Sequence, residues 1–376
     1  MKIIEYLFLR QNLGLTLFCI ITIVQVFYYL FFFTRLAFYK TKPKNIFQTH
    51  PVSVIISSRD EAGNLARNLP GILVQKYTTT HEVIVVNDNS LDESKYILEE
   101  YQKIFRQLQL VELKQEAKFI PGKKFPLSVG IKTAKHEIVL LTDADCVPAS
   151  EFWIEKMQEG FNEGTEIVLG YGAFHKKNGL FNKLVRWETF HTALQYLSYA
   201  RAGLAYMGVG RNLSYKKTVF FRHKGFSSHN HVAGGDDDLF INKAATKENT
   251  AIMIHKDAFT LSEPPKTWEQ WIKQKNRHYT TGKYYRGLHK FLLGLYAFSH
   301  FLFYPFFVVA LFVNWKVALI IFGVRFVLQG IILFHTTNKL DEKDLFPWYW
   351  ALDAWMFFYY LLFSTALFKK PGKTWK

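Results

Sequence analysis

The longest apolar runs of this 376-residue chain stand at its two ends, with a mixed stretch of shorter periods between them. Leu13 to Phe33 carries no charge, and at about 1.5 Å rise per residue a helix of that length spans roughly 30 Å of hydrocarbon. A cleaved signal has a shorter apolar region and a small-residue cleavage site, whereas this run ends in Phe31, Phe32 and Phe33. The sequence therefore predicts a retained anchor. Phe291 to Val313, Val317 to Phe334 and Phe346 to Phe368 predict three further spans, joined by Asn314-Trp315-Lys316 and by His335 to Leu345. Two charges intrude, Arg325 and Asp353, and ionisable groups at membrane depth need a partner, so they are expected to pair with each other.

Between about Asn45 and Leu288 the pattern changes to short β-branched runs alternating with amphipathic stretches. Val52 to Ser58, Glu82 to Asn87, His136 to Thr142 and Glu166 to Gly170 predict strands. Leu91 to Phe105, Lys123 to Ala134 and Ser150 to Phe161 predict the helices. Alternation of this kind means an α/β domain with a mostly parallel sheet covered on both faces, and continuous runs such as Val83 to Val86 suit strands buried on both sides. No internal repeat or low-complexity tract interrupts it.

Composition sharpens this picture. The chain is 49% hydrophobic and 17% aromatic, which excludes a disordered chain, and its 47 Lys+Arg against 31 Asp+Glu favour anionic partners. Much of the excess flanks the apolar segments. No helix-turn-helix, RNA-recognition or zinc-finger pattern appears, so nucleic acid is not expected as a partner. Arg35, Lys40, Lys42 and Lys44 have no acidic neighbour between positions 34 and 44. The positive-inside rule then puts everything after Phe33 in the cytoplasm and the amino terminus outside. Counting spans onward leaves Lys369, Lys370, Lys373 and Lys376 outside, against that rule, so one apolar stretch is expected to be re-entrant or interfacial. Cys19 and Cys146 lack any CxxC or His-rich partner and read as packing residues.

In open parallel sheets ligands bind beyond the carboxyl ends of the strands. Ser57-Ser58-Arg59-Asp60-Glu61, Asn87-Asp88-Asn89-Ser90 and Asp143-Ala144-Asp145 each follow a predicted strand, so acidic residues stand at all three ends. Carboxylates gathered at one edge repel, and the arrangement becomes favourable when they share a divalent cation or accept from ribose and base donors. On an extended segment both carboxylates of Asp143-Ala144-Asp145 project to one face.

From about Pro51 to Tyr285 the chain resembles the inverting, family 2 type of glycosyltransferase with its Rossmann-like GT-A domain. "VSVIISSRDEAGNL", "EVIVVNDNSLDES" and "GKKFPLSVGIKTAKHEIVLLTDADCVP" carry the likeness through their order and spacing. The resemblance implies that Ser58, Glu61 and Asp88 line the base and ribose pocket, that Asp143 faces the ribose, and that Asp145 binds Mg²⁺ or Mn²⁺. Lys123 and Lys124 stand where they would attract the diphosphate. Asn87 replaces an acidic residue of the family pattern, and Pro70-Gly71 predicts a kink in the first helix.

Farther along, Asp236-Asp237-Asp238 precedes a helical apolar pattern. Helix capping is one reading of such a triplet. The other is a general base, because inversion needs a carboxylate to take the acceptor hydroxyl's proton. Matching the family's Glu-Asp pair to Asp236-Asp237 makes Asp237 the base, and a one-residue shift makes it Asp236. Gln274-Lys275-Asn276-Arg277-His278 resembles the family's Gln-x-x-Arg-Trp element, with Arg277 facing the diphosphate and His278 in place of the stacking Trp. "GVGRNLSYKK" resembles an acceptor-side segment in which Asn212 is either structural or in contact with acceptor. Lys266 to Lys290 mixes basic and aromatic residues and predicts an interfacial helix.

Four regions follow: a membrane anchor with its basic flank (1–44), a nucleotide-sugar and acceptor domain (45–265), an interfacial segment (266–290) and a transmembrane region (291–376). The expectation is an integral protein of the cell membrane with its catalytic domain in the cytoplasm. It would move sugar from a nucleotide diphosphate sugar, a UDP-sugar by expectation, to a lipid-linked or glycan acceptor of the cell envelope. A processive polysaccharide synthase and a non-catalytic nucleotide-binding membrane protein are the alternatives.

Overall fold

The computed structural model describes residues 12–40, 49–114 and 120–364. Lys42, Lys44, the basic tail from Lys369 and the end of the last apolar stretch lie outside the described residues. The first apolar run forms α1 (Leu13–Ala37), in which Tyr28–Phe33 is π-helical and turns four aromatic rings inward.

The alternation read from the middle of the chain is present as β1 (Val52–Ser58), α2 (Ala62–Leu73), β2 (His81–Asp88), α3 (Ser94–Ile104), β3 (Leu108–Leu113), α4 (Lys124–Thr133), β4 (Ile138–Asp143), β5 (Cys146–Pro148) and α5 (Trp153–Gln158). Shorter strands and helices follow: β6 (Ile167–Leu169), β7 (Gly172–Phe174), α6 (Leu180–Arg201), β8 (Leu213–Lys216), α7 (Lys217–Arg222), α8 (Asp238–Ala244), β9 (Thr250–Ile252), β10 (Thr260–Ser262) and α9 (Trp268–Tyr279). A seven-stranded sheet runs β3-β2-β1-β4-β8-β6-β9, and β5-β10-β7 form a small second sheet. The four strands from β3 to β4 are parallel, while β8 runs antiparallel to both its neighbours.

Register brings the acidic strand ends together. Ser58 stands opposite Asn87 and Ser57 opposite Asp143, so the turns after β1, β2 and β4 share one sheet edge. Side-chain alternation splits the strands between two cores: Val54, Ile56, Val83 and Val85 pack with α2, α3 and α5, whereas Ile55, Ile84 and Val86 face α4. Each fully buried aliphatic side chain contributes roughly 1.5–3 kcal/mol.

A single helix runs through Pro70 and Gly71. Proline has no N–H to give the carbonyl four residues earlier. That acceptor, Ala66 O, takes a hydrogen bond from Tyr101 OH at 3.0 Å instead.

Two of the predicted carboxy-terminal spans are the arms of one 53-residue element, α10 (Gly287–Lys339), which leaves helical geometry at Asn314 (φ −156°, ψ 92°). Phe307 and Phe322 would be about 22 Å apart along a straight helix, yet their rings lie 4.6 Å apart. The element is therefore a hairpin, and α1 packs along it. Arg325 pairs with Asp353 at 2.8 Å as expected, and Gln329, Tyr304 and Gln25 complete a buried polar network.

The last described helix, α11 (Tyr349–Ser364), behaves differently. Phe363 near its end packs on Trp271 and Tyr279 of α9. The turn before α11 holds Glu342 and Asp344 against Arg186 of α6. Both ends of the α11 region thus touch the sheet domain. The basic aromatic segment of α9 turns inward as well, with Trp271 fully buried against Tyr359, while Trp268 and Tyr284 stay exposed.

Candidate active site

At the β1 and β2 ends, two turns are stapled together. Asp60 N donates to Ser90 Oγ (2.9 Å), Leu91 N to Asp60 Oδ1 (2.7 Å), Ala62 N to Asp92 Oδ2 (2.9 Å) and Glu61 N to Ser94 Oγ (3.1 Å). Asp60 and Asn89 both adopt φ 52°, the left-handed turn that short polar side chains tolerate. Asn87 is buried and held by Glu112 and Ser90, so it is a structural member of the turn. Asp88 and Glu61 remain partly open. Beside them the Ser58 hydroxyl is buried without a hydrogen-bond partner among the described residues. An orphaned buried donor costs about 1–3 kcal/mol, which a ligand atom at this edge would recover.

The β4 end holds the charged centre. Asp143, Asp145 and Cys146 bring ligand atoms within 4.8 Å of one another, and Cys146 Sγ donates to Asp145 Oδ1 at 3.4 Å. Two carboxylates at this spacing suit a hard divalent cation. Cys146, read from the sequence as a packing residue, is buried but belongs to this cluster. Lys123, just before α4, forms an ion pair with Asp143. Burial works against the Lys123 charge, but Asp143, Asp236 and Asp145 outweigh it and hold the amine above its ordinary range. Burial likewise opposes the Asp143 charge, and Lys123, with Arg211 and Arg277, keeps that carboxyl low. Asp145 is pushed upward, by desolvation first and by the Asp143 charge second.

Lys124 does not share this role. It is fully buried and donates to Val232 O, bracing the loop that leads to the acidic triplet. Arg211 was not singled out from the sequence, though it stands next to Asn212 in the same segment. Its guanidinium lies 4.7 Å over the Phe174 ring, donates to Ser262 Oγ at 2.9 Å, and acts on both Asp143 and Asp145. Asn212 itself is excluded from acceptor contact: it is fully buried, donating to Tyr171 O and Ala258 O and accepting from Trp153 Nε1.

On α9, Arg277 is partly buried and close enough to Asp143 to lower it. Gln274 turns a buried, unpartnered Oε1 inward. His278 is exposed. Lys275 faces the other way, into a buried ion pair with Glu188 of α6.

The three consecutive aspartates have three different surroundings. Gly235 precedes them at φ 92°, a conformation that favours glycine, with Leu239 against the position a Cβ would take. Asp237 accepts from Gly210 N through Oδ2 and from Asp238 N through Oδ1, both at 2.7 Å, and so caps α8. Asp238 accepts from Leu239 N, from Thr281 Oγ1 and from Tyr285 OH. Asp236 is 7% exposed and accepts no hydrogen bond among the described residues, while its charge acts on Lys123 and Lys124. Burial, then Asp236 and Asp238, push Asp237 well above the usual carboxylate range.

Comparison with known proteins agrees with this geometry. The chain is 24% identical over 250 residues to the probable glycosyltransferase YdaM of Bacillus subtilis, covering 62% of this chain and 56% of that protein. It is 30% identical over 131 residues to the glycosyltransferase AglE of Haloferax volcanii, 34% of this chain and 41% of that one. Over 169 residues it is 28% identical to a poly-beta-1,6-N-acetyl-D-glucosamine synthase of Staphylococcus epidermidis, 43% and 38% of the two chains. The chain thus spans about half or less of the length of these curated relatives. Among solved structures, the mannosyltransferase PcManGT from Pyrobaculum calidifontis, in complex with GDP-Man and Mn²⁺, superposes with a TM-score of 0.57 at 18% identity, covering 93% of this chain and 99% of that one. That likeness shows a shared α/β, GT-A-like fold. The family model matching residues 53–225, nearly the whole span that holds the acidic strand ends, is Glycosyl transferase family 2.

Proposed function

We propose that this chain is a membrane-anchored glycosyltransferase that moves a sugar, with inversion, from a nucleotide diphosphate sugar to a lipid-linked or membrane-proximal acceptor on the cytoplasmic face. The observation that carries the reading is the position of Asp236, a carboxylate without a hydrogen bond among the described residues, beside the Lys123, Asp143 and Asp145 cluster. Ser58, Glu61 and Asp88 take the base and ribose, with the Ser58 hydroxyl supplying the donor or acceptor it lacks a partner for. Asp143 accepts from the ribose, and Asp145 holds a divalent cation. Bound there, Mg²⁺ or Mn²⁺ supplies charge compensation for the diphosphate leaving group. Lys123, Arg211 and Arg277 add three cations that orient the same diphosphate.

Asp236 accepts the proton of the acceptor hydroxyl as that oxygen bonds to the anomeric carbon. The bond from this carbon to the diphosphate oxygen breaks on the opposite face, and its electron pair leaves with the nucleoside diphosphate. Asp237 keeps the loop in place through Gly210 N and the first turn of α8. His278 and Gln274 border the acceptor side, where an imidazole stacks less area than the indole of the family pattern.

The membrane part of the proposal rests on α1 and the two arms of α10, whose outward faces expose apolar residues such as Ile20, Ile23, Phe312, Ile320 and Val327. Three crossings leave α11 as the apolar stretch that does not cross, packed through Asp353 and Phe357 against the hairpin. Few helices are then available from which to build a channel, which favours single transfer over threading a polymer. Incubating membranes that contain the chain with a panel of nucleotide sugars and lipid extract, followed by mass spectrometry of the lipids, tests the reading. The expected product gains one sugar mass, and its absence for every donor would sink the assignment.

A further inference from the structure

The end of α1 and the returning arm of α10 finish side by side, against the loop between β9 and β10. There Tyr39, Lys40, His255, Lys256, Asn338 and Lys339 line most of a cleft of ≈ 490 Å³. Lys339 Nζ donates to Tyr39 O at 2.7 Å and fastens the two helix ends together. The Arg201 guanidinium lies 4.4 Å over the Tyr39 ring. Lys256 meets Asp341 at 2.6 Å, and Asp257 supplies a carboxylate to the same cleft beside His255, whose Nδ1 accepts from Asp257 N. Lys40 and Lys339 have no carboxylate within ion-pair distance among the described residues. Three lysines thus line one cleft that a single aspartate shares.

The surroundings say which anion fits. The Phe38 and His335 rings meet at 4.9 Å on the same two helices, and Phe38, next to Tyr39, and Ile331 and Phe334, within two turns of Asn338 and Lys339 on α10, are half exposed. A soluble anion gains nothing from that apolar wall, whereas a lipid needs both a charged seat and a place for its chains. Basic pockets between the cytoplasmic ends of membrane helices have this composition.

We propose that the cleft binds the headgroup of an anionic phospholipid, with its phosphodiester between Lys40 and Lys339 and its acyl chains along Phe38, Ile331 and Phe334. This rests on the membrane reading and is independent of the sugar-transfer chemistry. A lipid seated there ties the helix ends to the sheet domain through the 254–257 loop.

The test uses the full chain in neutral detergent, titrated separately with dioleoyl phosphatidylglycerol, dioleoyl phosphatidylcholine and inorganic phosphate, with bound lipid counted by native mass spectrometry. Phosphatidylglycerol should bind on the order of 10- to 30-fold more tightly than phosphatidylcholine, as two lysines near a lipid surface imply. Lys40→Gln/Lys339→Gln should erase the preference, and Lys103→Gln, on α3 beside β3 at the sheet edge opposite β9, should keep it. Because Lys339 also joins the helix ends, Lys40→Gln alone must lower the preference in a protein that melts normally. Equal binding of the two lipids, a preference that survives both lysine variants, or displacement of phosphatidylglycerol by equimolar phosphate would each overturn the proposal. Release of the chain from membranes by alkaline carbonate would instead mean that the membrane reading had failed.

Discussion

Asp236→Asn and Asp237→Asn differ by one position and should give opposite phenotypes. Asp236 accepts no hydrogen bond among the described residues, so its amide costs the fold little and removes one of three neighbouring charges. Losing the base lowers the rate by about 10²–10⁴-fold, or about 3–5 kcal/mol of barrier. Asp237 uses both oxygens on backbone N–H groups. Asparagine keeps one acceptor and turns an NH₂ toward the other N–H, losing a charge-assisted bond of roughly 1.5–3 kcal/mol. Burial and the neighbouring carboxylates push Asp237 upward, so neutralising it recovers part of that cost, and the net loss belongs at the lower end. The assay is three measurements on each variant: turnover at saturating donor, donor affinity by calorimetry, and thermal melting. Asp236→Asn should lose turnover at least 100-fold with donor affinity and melting intact. Asp237→Asn should melt several degrees lower and keep turnover within about tenfold. An active Asp236→Asn beside an inactive, normally melting Asp237→Asn would move the base to Asp237. If both stayed active, the base-assisted inversion argued here would be untenable.

Asp145→Ala should abolish Mn²⁺ binding seen by electron paramagnetic resonance, and EDTA should stop transfer; full turnover in chelator would remove the metal from the reading. Tyr101→Phe should lower stability by about 1 kcal/mol in chemical denaturation, because Ala66 O loses its donor; no change would mean water replaces it without cost. Burial and then the Lys124 charge push His229 down to about 4 from 6.5, so its contribution to stability is present above pH 6.5 and lost as pH falls toward 4. Wild-type melting should therefore drop more between pH 7 and 5 than that of His229→Asn, and parallel curves would contradict the burial argument. A cysteine at Asn178 should resist impermeant labelling from outside intact cells, and efficient labelling would reverse the orientation.

The elements legible in the sequence were those whose physics is local. β1 appears with the bounds its apolar run predicts, and β2 and β4 within two residues, because strands buried on both faces read as continuous hydrophobic stretches. β3 was missed because Gln109 and Glu112 fall on opposite faces of Leu108–Leu113 and break both the continuous and the alternating apolar pattern, as a half-exposed edge strand can. β6 lies inside the predicted Glu166 to Gly170, whereas β7, β9 and β10 have three residues each, too few to show any period. α6 escaped because it is buried nearly all round: Arg186, Glu188 and His191 look like a solvent face but have partners in distant segments. At the site, the grouping of Asp143 with Asp145 was legible from their place after a strand. The different surroundings of the aspartate triplet were not, because Gly210, Thr281 and Tyr285, which distinguish the three identical side chains, come from distant segments. Asn212 misled for the same reason: its motif fixed its type but not the three partners that enclose it.

The same long-range contacts couple the two halves of the proposed reaction. The donor edge belongs to the sheet, whereas Gln274, Arg277 and His278 ride on α9, and α9 rests its opposite face on α11 through Trp271, Tyr279, Tyr359 and Phe363. Between them lies α6, fixed on one side by Arg186 to Glu342 and Asp344 and on the other by Glu188 to Lys275, with Tyr359 OH also donating to Glu188. Breaking one partner of a buried ion pair costs about 3–5 kcal/mol, although replacing the whole pair by apolar groups is often neutral. Such pairs therefore specify an arrangement more than they stabilise it. Here the arrangement they specify is the distance from the β4 carboxylates to the acceptor-side helix. Because α11 packs on α9, under the proposed membrane reading the depth of the hairpin would also set where an acceptor hydroxyl meets Asp236. A soluble fragment ending before α10 would keep the nucleotide edge, with its stapled turns and Asp143, but would lose the surface that holds Arg277 in place. Donor binding and transfer should thus separate on truncation, since the first is built from the sheet alone and the second needs the helices.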